Sequence, residues 1–340
     1  MNVVLLFGGD GAEYEISLRS AASLLPSLAA RNTVYPIGIN REGGWYLTSP
    51  EPRAIAEDTW QRGAAPVLLD PVGHSLLVGG APLPVDVVFP LLHGGLGEGG
   101  GMASLLTLLG IPYVGCGPRA GMLGMDKVLA KQVAERAGIR VARYRAVRAD
   151  EPLDASLYGE LAATVGYPMF VKPSGLGSSI GASCVPDSSA LATALAEAHR
   201  YDRVALCEEL IRGSEVEVAL LADGGTLRGG LVGEVDPGAD FYDYNTKYRT
   251  NSSRIFIPAR LPSALLTEVK EQAKRIFRLF GCRSLARVDF FVRGEEVIFN
   301  EINTMPGFTD ISMFPRLMQA AGFTPVALVE ALLADAVGKA

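Results

Sequence analysis

The sequence predicts an α/β protein whose central and C-terminal parts have α+β character. Two observations lead to this class: strand-like and helix-like patterns alternate in the first third of the chain, and a polar-faced hairpin lies near the end. At 340 residues the chain is too long for one ordinary core. We therefore divide it into residues 1–117, 118–209 and 210–340.

The first part predicts a mainly parallel sheet with ligands at the carboxyl ends of its strands. The predicted elements are strands at 3–7, 34–39 and 85–89 and a helix at 15–28. Gly8, Gly9 and Gly11 form a turn after the first strand, but their spacing does not match a dinucleotide-binding fingerprint. A tight turn between strand and helix explains them.

Two carboxylates, Glu13 and Glu15, follow this turn near the predicted helix start. The helix dipole favours negative charge there, so a purely structural role explains both. A carboxylate at the mouth of the sheet could also bind a substrate ammonium. The local sequence favours the structural explanation and leaves the second open.

The central part predicts a loop that covers phosphate groups. Its predicted elements are helices at 126–137 and 188–199 and strands at 169–171 and 182–184. Between the strands, Lys172 ends the first strand and a Gly/Ser-rich stretch runs to Gly181. Glycine amides, serine hydroxyls and a lysine suit an anion. The alternatives are a Walker A loop, which the spacing excludes, and a flexible hairpin turn.

The end of the central part and the C-terminal part predict three further features. Residues 207–211, with Glu215, resemble a hinge that could contact adenine and ribose, although acidic side chains at strand ends are commonly only solvated. Residues 241–248 form an aromatic, polar loop of the kind that often carries function. Helices are predicted at 263–280 and 325–336.

The hairpin at residues 287–303 predicts a magnesium site. Alternate residues of a strand share a face, so Glu301 and Asn303 can point together and Asp289 can join them from the partner strand. Carboxylate and amide oxygens suit Mg²⁺, which usually shares its shell with substrate phosphates. Arg287 can reach the same space. A solvated hairpin face is less consistent with polar residues inside apolar strands.

Composition excludes several classes of protein. A net charge of −6 argues against a sequence-independent nucleic-acid binder. Four widely spaced cysteines match neither a zinc pattern nor a dense disulfide framework, which favours a reducing compartment. The N-terminus has no signal-peptide pattern, and no apolar run reaches membrane-spanning length. We therefore expect a cytoplasmic protein with no membrane or nucleic-acid partner.

Taken together, these motifs resemble the D-alanine–D-alanine ligase family of the ATP-grasp superfamily. The resemblance covers nearly the whole chain, and the motifs occur in family order. They lie at residues 8–18, 93–98, 125–127, 172–181, 241–248, 287–289 and 301–312. The resemblance implies a three-domain ATP-grasp architecture: a Rossmann-like domain at 1–117, a central lid at 118–209, and a C-terminal domain at 210–340 that holds the metal and substrate site.

The resemblance also implies roles for matching residues. The implied ATP contacts are Lys127 and Lys172 at the phosphates, Lys247 at the γ-phosphate, Ser178 in the lid, Glu208 and Glu215 at adenine and ribose, and Glu209 and Ile211 in the hinge. The implied D-alanine contacts are Glu13 at the first ammonium, His93 near its carboxylate, Ser312 and Met313 at the second carboxylate, and Arg287 and the Gly307 N–H at the oxyanion. Asp289, Glu301 and Asn303 would hold two Mg²⁺, for which Mn²⁺ is expected to substitute.

The implied activity joins two D-alanines through an acyl phosphate, with release of ADP and phosphate, for peptidoglycan synthesis. Ser178, Tyr248 and Glu13 would form a latch over the site, and a homodimer is implied. One stretch departs from the family: Gly99, Ala103 and Ser104 replace its usual Asp, Gln and Gly. We expect Gly99→Asp to restore a helix-start carboxylate and add about 0.5–1 kcal/mol of stability.

Two other functions remain open at this point. An ATP-grasp ligase for a different carboxylate and amine would share the ATP and metal residues, but it has no reason to keep Glu13, Tyr248 and Ser312 together. A nucleotide-binding paralogue without catalysis is disfavoured by the intact set of Arg287 and the three metal residues.

Overall fold

The computed structural model describes residues 1–236 and 254–338, and within them the chain forms three β-sheets. The aromatic loop predicted at 241–248, with Lys247 and Tyr248, lies outside the described residues. The fold class expected from the sequence is confirmed. The three-domain boundaries stay a prediction, although each of the three parts contributes its own sheet.

The first sheet has seven strands in the order β6-β5-β4-β3-β2-β1-β7. Its elements and those that follow it are β1 (Asn2–Gly8), α1 (Tyr14–Ala29), β2 (Thr33–Ile39), β3 (Trp45–Leu47), α2 (Pro52–Ala56), β4 (Ala65–Asp70), β5 (Ser75–Val78), β6 (Ala81–Pro82), β7 (Val87–Leu91), α3 (Gly95–Glu98) and α4 (Gly101–Leu108). The expected parallel pairing is limited to β2-β1-β7, and the other four strands pair antiparallel. Short turns join β2 to β3, β4 to β5 and β5 to β6. These strands pair antiparallel because a parallel pair needs a longer crossover connection.

The central sheet has four antiparallel strands in the order β10-β9-β11-β8. The elements of this part are α5 (Pro118–Met125), α6 (Lys127–Arg136), β8 (Tyr144–Arg148), α7 (Ala155–Thr164), β9 (Met169–Pro173), β10 (Ser183–Val185), a 3₁₀ turn (Ser188–Ala190), α8 (Leu191–His199) and β11 (Val204–Glu209). Val171, Ala205 and Cys207 pack in the core under α7 and α8. Because strand residues alternate, Lys172 and Glu208 lie on the opposite face.

The third sheet has five antiparallel strands in the order β14-β13-β12-β15-β16. Its elements are β12 (Ser214–Asp223), β13 (Thr226–Asp236), β14 (Arg254–Phe256), α9 (Ser263–Leu279), β15 (Leu285–Arg293), β16 (Glu296–Asn303), α10 (Met313–Ala320) and α11 (Pro325–Val337). The predicted hairpin at 287–303 is confirmed as β15–β16, and the predicted helices at 263–280 and 325–336 are α9 and α11.

Packing joins the first and last parts of the chain into one core. Leu18 of α1 and Phe89 of β7 share a buried cluster with Phe314 of α10 and Leu328 of α11. α9 covers the other face of the third sheet through Val269 and neighbouring residues. This arrangement brings the carboxyl ends of β1 and β7 close to the end of β16. No single helix in the described part of the chain is long and apolar enough to cross a membrane. Helices α10 and α11 reach that length and composition only when taken together, and they are bent by 102° relative to each other.

Candidate active site

Two cavities meet between the three sheets. The larger has a volume of about 650 Å³ and lies between the central and third sheets. The smaller, about 120 Å³, lies against the loops that follow β7 and β16. Lys127, Ser178 and Glu301 line both cavities. A molecule in the large cavity can therefore touch one in the small cavity at this junction.

The hairpin places its polar residues on the cavity side as the sequence predicted. Asp289 and Glu301 are direct neighbours across β15 and β16, and Arg287 faces Asn303. The amide Nδ2 of Asn303 donates to Asp289 Oδ2 at 3.0 Å. A bulge follows Asp289 in the strand pairing. Asp289, Glu301 and Asn303 thus share one face of the hairpin, on which Glu301 and Asn303 line the cavities and Asp289 lies behind them.

Arg287 is held by two carboxylates. Its Nε and Nη2 donate to Asp289 at 2.8 and 2.7 Å, and its Nε lies 2.8 Å from Glu217 Oε2. All three side chains are buried. Burial alone disfavours the guanidinium charge, but Asp289 and Glu217 raise the pKa of Arg287 well above its usual value. The arginine is a fixed cation beside the small cavity.

Lys127 connects the lid to the hairpin. Its Nζ donates to the carbonyl of Leu176 at 2.7 Å and lies 3.7 Å from Glu301 Oε2. Asp126 caps α6 by accepting from the N–H groups of Val128 and Leu129, and it also accepts from the hydroxyl of Ser174 at 2.7 Å. The helix start and the phosphate-lid strand are therefore fixed to one another.

Lys172 and Glu208 form a buried ion pair on the cavity face of the central sheet. Their Nζ and Oε1 atoms lie 2.5 Å apart, and Lys131 Nζ lies 2.9 Å from the other oxygen of Glu208. Burial opposes ionisation of Glu208, but the two lysines lower its pKa to about 2. Glu208 is thus charged, and its side chain is already engaged at the place where the sequence predicts an adenine contact.

The predicted hinge lines the large cavity. Glu209, Ile211 and Glu215 all contribute to its wall. Glu209 accepts a hydrogen bond from Arg143 Nε at 2.9 Å and lies 3.9 Å from Arg293, so its carboxylate is tied to the protein. The backbone groups of the hinge, rather than the Glu209 carboxylate, are therefore suited to contact a nucleotide base.

Glu13 lies across the small cavity from the hairpin. It accepts a hydrogen bond from Ser178 Oγ, which ties the central lid to the first part of the chain. Gly94 and Gly177 lie so close to the Glu13 carboxylate that added Cβ atoms would be 2.3 and 3.1 Å from Oε2. Glycine at these two positions leaves room for the carboxylate. Two members of the predicted latch are therefore in contact; Tyr248 lies outside the described residues.

His93 is buried and both its ring nitrogens have partners. Its Nδ1 donates to the Met305 carbonyl at 3.0 Å, and its Nε2 accepts from Ser20 Oγ at 3.0 Å. The same Ser20 oxygen accepts from the Phe308 N–H at 3.2 Å. Burial lowers the pKa of His93, which is therefore neutral at pH 7. His93 holds the loop after β16 and offers no positive charge to a carboxylate.

Glu98 bridges the loops that follow β7 and β16. It accepts from the Met305 N–H at 3.1 Å and from the Gly94 N–H at 3.2 Å. Burial and the nearby Glu13 charge raise its pKa to about 7. The two loops that border the small cavity are thus joined by an acid that gains or loses its proton near neutral pH.

The loop after β16 ends at the start of α10. Ser312 is the N-cap residue of this helix, and its hydroxyl accepts from the Thr309 N–H at 3.2 Å. A Cβ on Gly307 would lie 2.8 Å from that hydroxyl. Met313 is buried in the core, so only its backbone N–H is suited to a ligand. A helix N-terminus favours an anion such as a carboxylate.

The structure brings the predicted site residues of the described part into two adjoining groups. The group at the large cavity is Lys127, Lys172, Ser178, Glu208, Glu209, Ile211, Glu215 and Glu301, and the group at the small cavity is Glu13, His93, Ser178, Arg287, Glu301, Asn303, Gly307, Ser312 and Met313. Asp289 lies just behind the junction. Lys247 and Tyr248 lie outside the described residues.

Sequence reasoning missed Glu217, Lys131 and Ser20. Glu217 lies two positions after Glu215 on β12, and this alternation signals a shared face. Lys131 lies one turn after Lys127 on the buried face of α6, where a lysine in a core position marks an unusual environment. Ser20 lies on the buried side of α1 and carries no local signal.

The donor set at the junction fits a metal that takes part of its shell from a substrate. Within residues 1–236 and 254–338, no cluster of three or more His, Cys, Asp or Glu side chains is placed to enclose a metal ion. Asp289 and Glu301 nevertheless supply adjacent hard oxygen donors, and Asn303 adds an amide. Mg²⁺ is commonly bound by one or two carboxylates together with phosphates and water.

Two family models match nearly the whole chain: the D-ala D-ala ligase N-terminus over residues 2–116 and the D-ala D-ala ligase C-terminus over residues 133–334. A D-alanine–D-alanine ligase of Chlorobium limicola is 41% identical over 97% of this chain and 95% of its own length.

Solved structures agree. The VanG D-Ala:D-Ser ligase of Enterococcus faecalis is 33% identical with a TM-score of 0.87, and the match covers 98% of both chains. The D-alanine–D-alanine ligase of Coxiella burnetii is 30% identical with a TM-score of 0.86, covering 100% of this chain and 96% of that one. The chain therefore belongs to the D-alanine–D-alanine ligase family.

Proposed function

We propose that this protein joins two D-alanines into D-alanyl-D-alanine at the expense of ATP, for peptidoglycan precursor synthesis. The observation that carries the proposal is the junction of the two cavities at Lys127, Ser178 and Glu301. A nucleotide in the large cavity would present its terminal phosphate there. An amino acid in the small cavity would present its carboxylate to that phosphate.

ATP would lie between the central and third sheets. Lys127 and Lys172 are buried cations on the cavity wall, suited to the phosphates. The hinge from Glu208 to Ile211 would contact adenine, with Glu215 toward the ribose. Lys247, from the loop outside the described residues, is proposed at the γ-phosphate on the strength of the family resemblance.

The first D-alanine would bind with its ammonium at Glu13 and its carboxylate toward the junction. His93 is buried behind this position and would hold the surrounding loop, since both its nitrogens are already bonded. The second D-alanine would place its carboxylate at Ser312 and the Met313 N–H, at the start of α10. Its amine would then face the carboxyl carbon of the first.

The reaction would take place in two steps. The first D-alanine carboxylate attacks the γ-phosphorus of ATP, ADP leaves, and an acyl phosphate results. The unprotonated amine of the second D-alanine then attacks the acyl carbon, and phosphate leaves. Arg287 and the Gly307 N–H would stabilise the tetrahedral oxyanion, and Lys127 and Lys172 would offset charge on the transferred phosphoryl group. The closed lid would keep water from the acyl phosphate.

Asp289, Glu301 and Asn303 would hold two Mg²⁺, or Mn²⁺. Such ions would neutralise phosphate charge and orient the γ-phosphate for in-line transfer. The Asn303 amide oxygen is suited to this because its nitrogen is the atom that donates to Asp289.

An assay of ADP release with product identification tests the proposal. We expect release to depend on D-alanine and to yield D-alanyl-D-alanine, with L-alanine inactive. ADP release without D-alanine dependence, or no ATP use at all, would contradict it.

D-serine as the second substrate is the alternative that one observation favours, because a D-Ala:D-Ser ligase is among the structural relatives. Equal concentrations of D-alanine, D-serine and D-lactate at pH 7 would be offered together with ATP. We expect the D-alanine dipeptide to predominate. A neutral Tyr248 in the loop gives no reason to select a hydroxy acid. Predominant D-alanyl-D-serine or ester product would replace the proposal with that specificity.

We further propose a cytoplasmic homodimer. The four cysteines, all of them in the described part of the chain, are free thiols, which suits a reducing compartment. The dimer rests on the family resemblance, and the mass of the protein in solution by light scattering tests it.

A further inference from the structure

A third lysine lies behind the nucleotide cavity. Lys131 is completely buried, and its Nζ lies 2.9 Å from Glu208 Oε2. It is absent from the cavity wall, whereas Lys172 and Glu208 are part of that wall. Lys131 therefore makes no contact with a nucleotide in the cavity, and its nearest charged neighbour on the cavity wall is Glu208.

The contact between Lys131 and Glu208 is an ion pair rather than an aligned hydrogen bond. Within the described part of the chain, neither Nζ nor Oε2 has a hydrogen-bond partner of good geometry. Burial lowers the pKa of Lys131, and the Glu208 charge opposes that effect. The contact of 2.9 Å with the buried Glu208 carboxylate favours the charged form of Lys131, and we take it as an ammonium.

The net charge of Lys131, Lys172 and Glu208 indicates what Lys131 contributes to the cavity. Glu208 faces the nucleotide cavity and bears a negative charge. By itself this charge would repel the ATP phosphates and would neutralise the positive charge of Lys172. With Lys131 behind it, the three side chains carry one net positive charge, and that charge lies at the cavity face on Lys172. Without Lys131 the cluster would be neutral.

Resting on the ATP site proposed above, we infer that Lys131 is a positioning residue that neutralises Glu208 and so leaves the charge of Lys172 available to the ATP phosphates. The inference predicts an effect on phosphate recognition and little effect on adenosine recognition. A merely structural role for Lys131 would weaken both equally.

The experiment compares the dissociation constants of ATP and adenosine at one fixed Mg²⁺ concentration by calorimetry. The measured quantity is the ratio of the adenosine constant to the ATP constant. In Lys131→Met, whose side chain has a similar length and no charge, we expect this ratio to fall about tenfold or more, as loss of one favourable charge interaction implies. Lys274→Met is the matched control, because Lys274 pairs with Glu271 on α9 and does not line either cavity.

A second variant guards against failure of Lys131→Met to fold. The double variant Lys131→Met/Glu208→Gln removes both buried charges and restores the net charge of one on Lys172. Its ratio should return to within about threefold of wild type. A double variant whose ratio stays low, or a single variant whose ratio equals that of wild type, overturns the inference.

The outcome for wild type separates this inference from the proposed function. A wild-type protein that binds no ATP would overturn both. A wild-type protein that binds ATP and releases ADP with D-alanine, together with an unchanged ratio in Lys131→Met, would overturn the role of Lys131 alone.

Discussion

At the scale of single residues, the proposed metal ligand Glu301, which lines both cavities, gives the first prediction. Glu301→Gln keeps the size of the side chain and removes its charge. We expect ADP release to fall at least a hundredfold at saturating Mg²⁺, because Mg²⁺ prefers a charged carboxylate oxygen and a neutral amide is a weaker ligand.

The fold should survive this change, and the far-ultraviolet circular dichroism and melting temperature provide the control. Retention of most of the turnover in Glu301→Gln would show that the metal ligands lie elsewhere.

Glu98 gives a pH dependence with a definite sign. Its pKa in the folded protein is about 7, above the usual carboxyl value, because of burial and the Glu13 charge. The folded state therefore holds this proton more tightly than the unfolded state, and its stability falls as pH rises from about 4.5 to 7. Glu98→Gln cannot ionise and escapes that loss.

The measurement is the difference in melting temperature between Glu98→Gln and wild type from pH 5 to 8. The amide loses one of the two accepted backbone hydrogen bonds at every pH, so the absolute difference carries a constant offset. We expect the difference to move in favour of the variant as pH rises. A difference that does not change with pH would mean that Glu98 titrates normally.

At the scale of secondary structure, the glycine-rich connection between α3 and α4 corrects an expectation from the sequence. The sequence alone predicts that Gly99→Asp stabilises the protein. The structure shows that a Cβ at Gly99 would lie 2.5 Å from the Gly95 carbonyl oxygen, closer than atoms can approach. The structure therefore predicts that Gly99→Asp lowers the free energy of unfolding by about 1–3 kcal/mol. The melting temperature of the variant should fall accordingly.

Gly159 is a matched control for this change. It lies inside α7, and an added Cβ would meet nothing within 4 Å. Gly159→Ala should raise the melting temperature, since alanine favours the helix by about 1 kcal/mol over glycine. A Gly99→Asp variant that melts no lower than wild type would mean that the Gly99 contact is absent in solution.

At the scale of the whole molecule, the bond from Ser178 to Glu13 joins the lid to the first part of the chain. Ser178→Ala removes it, and we expect the KM for D-alanine to rise about tenfold while the KM for ATP changes little, because the lost bond lies on the amino-acid side. Tyr248→Phe should have the same signature if it completes the latch.

Ser179→Ala is the control, because it removes a hydroxyl from the neighbouring lid residue and leaves the bond from Ser178 to Glu13 in place. Ser178 and Ser179 both have positive φ angles, 53° and 55°, but Ser179 is exposed and lines only the large cavity. Similar D-alanine KM values in the two variants would mean that loss of any lid hydroxyl, not of the bond to Glu13, is responsible.

Sequence reasoning succeeded where a motif is local and failed where contacts are distant. The alternation at Asp289 and Glu301 predicted their shared face because both lie on one hairpin. The sequence predicts an adenine contact at Glu208 but does not predict its ion pairs with Lys131 and Lys172. Lys131 lies on α6, a helix far away in the chain from Glu208. The antiparallel strands β3 to β6 were missed because short, half-exposed strands carry weak patterns.

His93 shows the same limit and has a consequence for biosynthesis. Its two bonds reach Ser20 and the carbonyl of Met305, which is 212 residues further along the chain. At about 5–20 residues per second, a ribosome needs roughly 10–40 s to add those residues. Throughout that interval His93 Nδ1 lacks its partner in the folded protein, the Met305 carbonyl. The small cavity is therefore among the last features to form on a growing chain, and a nascent fragment that ends before Met305 lacks part of the wall of this cavity.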